Sequence, residues 1–232
     1  MASPPNPTSS TAPSTMRAWT HTSTGPPRKV LKLTTDFPVP KITNPTDVLV
    51  KVAYTALNPG GSLMTELIPM IFRTKPSIPE LDFSGTVVQL GSDISDTRNL
   101  KSGDAVFGSI SLGQLVRFGQ GTLAEFVVVP AENVCLVPEG MKMEEAAGLG
   151  VAGCTALALV DAAKLKGGEK ALIYGASGGC GSLVVQLVKE AVGTGGKVVA
   201  VCSRRNFEMV RGLGADEVRE TPSRKALIFL SS

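Results

Sequence analysis

Apolar side chains in the first part of the chain alternate with polar ones, and short turn sequences interrupt the alternation. A period of two residues places every second side chain on one face, which is typical of a half-buried strand. The pattern predicts strands at residues 16–19, 30–33, 47–56, 81–90, 104–108, 124–129 and 134–137. Residues 62–79 carry scattered Pro and Met and are predicted to be a loop or a short helix. Together these elements predict a β-rich, barrel-like domain.

After residue 139 the pattern becomes helical. Glu144 and Glu145 stand where the first turn of a helix favours acidic side chains. Residues 146–165 are predicted to form two helices that meet near Gly153.

This change of pattern marks a domain boundary. We assign residues 16–140 to a first domain and residues 141–232 to a second. Residues 1–15 are rich in Pro, Ser and Thr and contain no charged side chain, so we predict a disordered tail there. The tail lacks the features of a secretory signal or of a mitochondrial transit peptide, and we expect a cytoplasmic protein.

A strand, a glycine-rich turn and a helix follow one another in the run ALIYGASGGCGSLVVQL. We predict a buried strand at residues 170–174, a tight turn at 175–181 and a helix at 182–190. Such a turn lets the backbone approach a pyrophosphate, and the helix N-terminus then offers it free N–H groups. The predicted cofactor contacts in this turn are Ser177, Gly178, Gly179, Cys180 and Gly181. The alternative is a glycine turn in an α/β core that binds nothing.

The end of the next strand predicts which cofactor binds. Residues 197–202 form a second apolar strand, which completes a βαβ unit. A site for NAD usually places Asp or Glu after this strand, to accept the ribose 2′-hydroxyl. The residues found there are Ser203, Arg204, Arg205 and Asn206. A hydroxyl and two guanidinium groups suit a 2′-phosphate, which predicts NADPH, although the arginines could instead be the solvated start of a helix.

Composition narrows the possible partners. The chain has 232 residues, 43% of them hydrophobic, and a formal net charge of +3. No Lys/Arg run alternates with aromatic residues, so we expect no nucleic acid partner. The uncharged, Ala- and Gly-rich stretch at residues 146–160 is too short to span a membrane, and we expect no membrane association.

Cysteine and histidine usage argues against a metal site. The four cysteines, at positions 135, 154, 180 and 202, form no Cys-x-x-Cys pair, and we predict reduced, buried thiols. His21 is the single histidine and is expected to be exposed. Without a His/Cys cluster no zinc site of the usual composition can form, so we predict no metal.

The motifs ALNP (56–59), LDFSGTVVQLG (81–91), GTLAEFVVVP (121–130) and VAGCTA (151–156), with the glycine turn, resemble the medium-chain dehydrogenase/reductase superfamily. Within that superfamily the chain looks like the zinc-free quinone oxidoreductase branch, and the resemblance covers about residues 16–218. The resemblance implies an α/β protein with a GroES-like catalytic domain followed by a Rossmann domain, and NADPH in the cleft between them.

The resemblance also implies roles for particular residues. Asn58 of ALNP would approach the nicotinamide or the substrate, and Thr155 of VAGCTA would contact the cofactor near its nicotinamide end. Alternatively, Asn58 is a turn residue and Thr155 a helix hydroxyl bonded to its own backbone. Tyr54 is a candidate proton donor if it faces the cleft, and it could equally face the core. Asp82 and Glu125 are expected to be structural. The implied reaction is hydride transfer from NADPH to a quinone or an activated C=C.

The end of the chain departs from the family pattern. A complete Rossmann domain has six strands, whereas residues 216–218 are followed only by RETPSRKALIFLSS. We therefore expect a partial Rossmann domain in a truncated chain, with residues 226–230 as a substitute strand. Three functional hypotheses stay open: an NADPH-dependent reductase of a small-molecule electron acceptor, a non-catalytic remnant that binds nucleotide weakly, and an enoyl-thioester reductase. A homodimer also stays open.

Overall fold

The computed structural model describes residues 12–94 and 99–221. The chain packs into two compact units, Met1–Val151 and Ala152–Ser232, which we call the N-terminal and the C-terminal unit. The boundary expected from the sequence, after residue 140, lies earlier and stays a prediction. Residues 1–11 of the predicted tail and the predicted strand at 226–230 lie outside the described residues, and Thr15 already belongs to the first strand.

Antiparallel strands dominate the N-terminal unit. They are β1 (Thr15–Thr20), β2 (Lys32–Pro38), β3 (Asp47–Ala56), β4 (Asp82–Leu90), β5 (Ala105–Ser109), β6 (Phe126–Pro130) and β7 (Val134–Leu136). Strands β1 and β2 pair with each other, and the other five form a sheet in the order β6-β3-β4-β5-β7. The strand pattern read from the sequence is therefore largely correct, and β3 has the predicted bounds.

Strand β3 is covered by apolar side chains on both faces. Val48 and Val50 pack with Phe83 into one buried cluster, and the intervening Leu49 packs with Phe126 into a second one. Because successive side chains of a strand point to opposite faces, this burial fixes the register of the sheet.

Short helices connect these strands. They are α1 (Pro27–Val30), α2 (Pro59–Leu67), a 3₁₀ turn (Met70–Phe72), α3 (Leu112–Phe118) and a second 3₁₀ turn (Ala131–Asn133). The predicted strand at residues 30–33 is thus partly wrong, since a helical turn begins at Pro27, where the fixed φ of proline suits a first helical position. The alternation pattern did not predict α3. Its signal is the capping box, in which the side chains of Ser111 and Gln114 each accept the other's backbone N–H.

A broken helix follows the last strand of the N-terminal unit. Helix α4 (Met143–Ala146) leads through a 3₁₀ turn (Ala147–Leu149) into α5 (Gly150–Ala163). The predicted break near Gly153 is therefore wrong. The break lies where a Cβ at Gly150 would overlap the Asp82 carboxylate and the Gly108 carbonyl oxygen, and where the Val151 N–H donates to Asp82 Oδ1 at 2.8 Å. The close approach to β4 and β5 sets the position of the break.

The same helical stretch bears on the membrane prediction. Met143–Ala163 has 21 residues and contains an 18-residue window with a mean hydropathy of 1.6, so by length and composition it could cross a membrane. The expectation of no membrane association stays a prediction. Core helices of water-soluble proteins pass the same test, and the finding assigns no membrane location.

The C-terminal unit is a parallel βαβ arrangement. It contains β8 (Lys170–Tyr174), α6 (Gly179–Val192), β9 (Lys197–Cys202), a 3₁₀ turn (Arg204–Asn206), α7 (Phe207–Gly212) and β10 (Glu217–Glu220). The sheet order is β10-β9-β8, with both pairs parallel. The predicted bounds of β8 and β9 are correct, whereas α6 begins at Gly179 rather than at Ser182.

Helix α6 covers one face of this parallel sheet. Val185, Val188 and Val192 lie three and four residues apart on α6 and pack with Val198 and Ala200 of β9. On β8, which is an edge strand of the described sheet, Leu172 and Tyr174 are 67% and 59% exposed.

The cysteines differ from their predicted burial. All four are free, but Cys135 and Cys154 are exposed, Cys180 is half-buried and only Cys202 is buried. The prediction of buried thiols is therefore wrong for Cys135 and Cys154, because neighbouring apolar letters in the sequence do not ensure that another element covers them.

Candidate functional site

Asn58 links strand β3 to helix α2 in the N-terminal unit. It is the residue before the first turn of α2, its φ and ψ are extended (−105° and 144°), and Pro59 follows it. Its side chain does not cap the helix. The extended backbone is what a residue before proline adopts, and it leaves the amide side chain available for tertiary contacts.

Two buried acids hold Asn58. The backbone N–H of Asn58 donates to Glu80 Oε2 at 3.0 Å, and its side-chain Nδ2 donates to Asp82 Oδ2 at 3.0 Å. Glu80 is 5% exposed and Asp82 is 1% exposed. The other oxygen of Asp82 accepts the N–H of Val151. Asp82 thus fixes the candidate site residue and the start of α5 together.

Burial dominates the electrostatics of these acids. It raises the pKa of Glu80, the negative charge of Asp82 raises it further, and the hydrogen bond from Asn58 opposes the shift. Burial likewise raises the pKa of Asp82, against the hydrogen bonds from Asn58 and Val151. Both groups therefore favour their neutral forms more than an exposed carboxyl group does.

Tyr54 lies on β3, and its side chain is 46% exposed. The alternative that it faces the core is therefore excluded. No described hydrogen bond links it to Asn58, so its role as a proton donor stays a prediction.

The glycine turn of the C-terminal unit has the geometry of a tight backbone loop. Gly175 has a φ of 73°, in the left-handed region that favours glycine, and its carbonyl oxygen accepts the N–H of Gly178 at 2.9 Å. A Cβ at Gly181 would overlap that same carbonyl oxygen. A Cβ at Gly179 would meet nothing within 4 Å, so the first turn of α6 is open at this position.

A side-chain contact joins the turn to the end of β9. Asn206 Nδ2 donates to Ser177 Oγ at 2.9 Å, and the Asn206 N–H donates to the Ser203 carbonyl oxygen. The structure thus brings together predicted site residues that are far apart in sequence. Arg204 and Arg205 are exposed on the 3₁₀ turn before α7, a position compatible with both interpretations made from the sequence.

Thr155 is exposed on α5, in the C-terminal unit. Within residues 12–94 and 99–221 there is no group of three or more His, Cys, Asp or Glu side chains that could hold a metal ion. Neither the role of Thr155 nor a zinc-free reaction is tested by these findings.

His21 is not exposed as expected. It is 2% exposed, its Nδ1 lies 3.1 Å from the Ser23 carbonyl oxygen, and its Nε2 lies 3.3 Å from a guanidinium nitrogen of Arg73. Arg73 is itself buried and also donates to Ser77 Oγ at 3.0 Å. Burial lowers the pKa of His21, and the charge of Arg73 lowers it further, against the contact with Ser23. The cluster depends on residues some fifty positions away, so the local sequence held no signal for it.

Sequence reasoning also missed Glu80. Its contact with Asn58 spans 22 positions, and no motif marks it. The only local signal is an acid two residues before Asp82, in the segment that leads into β4.

Comparisons with known proteins agree with this architecture. Residues 44–139 match the family described as "Alcohol dehydrogenase GroES-like domain". The chain is 36% identical over 219 residues to the trans-enoyl reductase pgmF of Aspergillus terreus, covering 90% of this chain and 59% of that protein. It is 36% identical over 211 residues to an NADPH-dependent alkenal/one oxidoreductase of Arabidopsis thaliana, covering 88% of this chain and 52% of that protein.

Solved structures of quinone oxidoreductases and related proteins have a similar fold. The quinone oxidoreductase of Coxiella burnetii superposes with a TM-score of 0.74 at 32% identity, covering 88% of this chain and 62% of that one. Mycobacterial Rv1454c, solved in complex with NADPH, gives a TM-score of 0.73 at 25% identity, covering 90% of this chain and 60% of that one. The chain thus spans little more than half the length of the relatives it matches.

A GroES-like unit followed by a parallel βαβ unit with a glycine turn is the architecture of the two-domain dehydrogenases. The chain belongs to the medium-chain dehydrogenase/reductase superfamily, in its quinone oxidoreductase-like branch. The fold class and the family predicted from the sequence are confirmed.

Proposed function

We propose that this protein is a zinc-free, NADPH-dependent oxidoreductase that reduces a quinone or an activated C=C of a small-molecule acceptor. The observation that carries the proposal is the glycine turn, which is open at Gly179 and lies at the N-terminus of a helix of 14 residues. The first N–H groups of such a helix have no partners within the helix and suit an anion. When bound, NADPH would supply the hydride.

The turn is proposed to bind the diphosphate through its backbone. The N–H groups of Gly179, Cys180 and Gly181 belong to the first turn of α6. Gly178 precedes them and carries no side chain that would keep a phosphate at a distance. Ser177 lies in the same turn, where its hydroxyl oxygen accepts the side-chain N–H of Asn206.

The residues after β9 are proposed to select NADPH over NADH. Ser203, Arg204 and Arg205 offer a hydroxyl and two cations, and no carboxylate stands among them to repel a 2′-phosphate. NADPH appears in the names of one relative and one similar structure, which supports the proposal.

Asn58 and Thr155 are proposed to lie near the nicotinamide end, and Tyr54 to donate the proton that completes the reduction. An exposed phenol can donate such a proton to an oxygen or carbon that becomes more basic when hydride arrives. The protein is further proposed to be cytoplasmic and to act without a nucleic acid or membrane partner, and a homodimer stays open.

A second candidate is the reduction of enoyl thioesters. It is favoured by the trans-enoyl reductases among the relatives of this chain. The chemistry at the nicotinamide would be the same, and only the group attached to the double bond would differ.

Calorimetric titration tests the cofactor site. Gly178→Ala places a methyl group where the turn is proposed to meet the diphosphate, and we expect NADPH to bind at least about tenfold more weakly. Gly195→Ala is the matched control, since a Cβ there meets only Gly168 at 3.7 Å. Equal affinity in the two variants, or no NADPH binding by folded wild-type protein, would overturn the proposal.

Arg204→Ala tests the choice of cofactor. We expect it to weaken NADPH binding and to leave NADH binding unchanged, with Arg211→Ala on α7 as the matched control. An unchanged preference for NADPH would remove Arg204 from the site.

Oxidation of NADPH with a panel of quinones, enones and enoyl thioesters then separates the two candidate reactions. No turnover above background by folded protein would favour the non-catalytic remnant.

A further inference from the structure

Glu80 combines features that are each unfavourable. It is a non-glycine residue with a φ of 71°, in the left-handed region, although it is neither Asn nor Asp. Its side chain is ionisable and only 5% exposed. Strained backbone and buried acids persist where the surrounding structure fixes them, and they are concentrated at functional sites.

The surroundings of Glu80 are shaped to receive its carboxylate. A Cβ at Gly61, in the first turn of α2, would overlap the Glu80 carboxylate. The backbone carbonyl oxygen of Glu80 accepts the N–H of Thr122 at 3.1 Å, which anchors the strained residue from the other side. The absence of a side chain at Gly61 thus provides the space that the acid occupies.

Glu80 and Asp82 together hold Asn58 at two points. Glu80 accepts the backbone N–H, and Asp82 accepts the side-chain Nδ2, each at 3.0 Å. Asp82 Oδ1 accepts the Val151 N–H and Asp82 Oδ2 accepts the Asn58 Nδ2–H, so the amino group of the Asn58 amide faces Asp82. Among the described contacts the amide oxygen of Asn58 accepts no hydrogen bond, and it is the atom left to meet a ligand.

We propose that Glu80 is a positioning residue, which fixes the backbone of Asn58 so that the amide oxygen of Asn58 is presented to an N–H or O–H donor of the bound cofactor or substrate. The inference rests on the proposed function in one respect, namely that Asn58 lies at the nicotinamide or substrate. Glu80 itself acts only through Asn58.

Two substitutions at Glu80 separate positioning from plain stability. Glu80→Gly removes the carboxylate and also relieves the strained φ, so we expect no lower melting temperature but a kcat lower by about tenfold or more. Glu80→Gln keeps an oxygen that can accept the Asn58 N–H, and we expect it to recover most of that loss. Glu66→Gln, an exposed acid on α2, is the matched control.

Gly61 provides an independent check. We expect Gly61→Ala alone to displace the Glu80 carboxylate, and therefore to lower kcat and the melting temperature. In Gly61→Ala/Glu80→Gly the new methyl group has space, so the melting temperature should recover while kcat stays low. Additive losses in the double variant would show that the two residues do not act through this contact.

Hydrogen exchange at the Asn58 amide gives a readout that does not depend on turnover. We expect protection of this N–H to fall in Glu80→Gly and to persist in Glu80→Gln. Unchanged protection and kcat in Glu80→Gly would overturn the proposal, as would parallel losses of kcat and melting temperature in both variants. If the wild-type protein oxidised no NADPH, the proposed function would fail, and the exchange measurement would still decide whether Glu80 holds Asn58.

Discussion

The two regions that carry the candidate site residues are built in different ways. In the C-terminal unit the glycine turn is closed by neighbours, since the N–H of Gly178 donates to Gly175 and that of Ser182 donates to Gly178. In the N-terminal unit Asn58 is held by acids that lie 22 and 24 positions away in sequence. The glycine turn is therefore held by local backbone geometry, whereas the position of Asn58 depends on tertiary contacts.

The two acids that hold Asn58 also differ from Asp216 of the C-terminal unit. Glu80 and Asp82 are buried, and burial raises the pKa of each. Asp216 is about one-third exposed, and hydrogen bonds from Lys189 and from the Val198 N–H lower its pKa. A buried acid that prepares a site therefore costs stability at neutral pH, whereas a paired acid near the surface contributes stability there.

Gly181→Ala should lower the free energy of unfolding most, because it disrupts the local backbone geometry of the glycine turn. Its Cβ would overlap the backbone of Gly175, which cannot move away as a flexible side chain could. We expect the C-terminal unit to lose about 3 kcal/mol of unfolding free energy. Amide hydrogen exchange of β8 and β9 measures this loss.

The matched control for this change is Gly179→Ala, where the methyl group meets nothing within 4 Å. It should leave stability unchanged or raise it slightly, since alanine favours a helix more than glycine does. Equal losses in both variants would mean that the turn is not constrained at Gly181.

Asp82→Ala should have the next largest effect on the free energy of unfolding, because it removes the long-range contacts around Asn58. It removes the acceptor of both the Asn58 amide and the Val151 N–H, and relief from burying an acid offsets part of the cost. We expect a loss of about 2 kcal/mol in the N-terminal unit. Urea unfolding followed by the fluorescence of Trp19, the single tryptophan, measures it, with the exposed Asp36→Ala as control. A loss no larger than that of the control would contradict the structural role of Asp82.

The smallest expected effect concerns how the free energy of unfolding depends on pH. The acids that hold Asn58 and the paired Asp216 should give slopes of opposite sign. The pKa values of Glu80 and Asp82 are raised in the folded protein. Their contribution to the free energy of unfolding therefore falls as pH rises from about 4 through those folded values. The folded pKa of Asp216 is lowered, so Asp216 stabilises the folded protein above about pH 4. This contribution to the free energy of unfolding is lost as pH falls through the folded pKa. The pKa values of Glu125 and His21 in the same unit are lowered, so the first slope is measured as the difference between wild type and Asp82→Ala in unfolding followed by Trp19 fluorescence. Hydrogen exchange at Val198 reports the second slope.

Lys189→Met sharpens this comparison. It removes the ion pair with Asp216, and we expect it to cost less than about 1 kcal/mol at pH 7 and to flatten only the second slope. First and second slopes of the same sign would show that burial does not control the pKa values of Glu80 and Asp82.

Much of the fold was predictable from the sequence. The bounds of β8 and β9 were correct because each is a short apolar run between a turn and a glycine-rich or polar segment. The start of α6 was placed too late, because Gly179 and Gly181 look like turn residues although they lie in its first turn. The capping box of α3 is a signal in the sequence that the alternation of apolar and polar residues does not reveal.

The site was less predictable in the N-terminal unit. Asn58 could be proposed from its motif, but its two acidic partners could not. His21 was expected to be exposed because nothing near it in sequence indicates its contact with Arg73. The break between α4 and α5 was misplaced for the same reason, since Asp82 of β4 determines where the backbone turns.

The sequence by itself determined the strand alternation, the βαβ order and the glycine turn, because these depend on side-chain periodicity and on backbone freedom over a few residues. Only the tertiary structure decided which acids surround Asn58, why Glu80 adopts a left-handed backbone, and that His21 is buried. These features depend on the packing of distant segments, where burial and hydrogen bonding outweigh local preference.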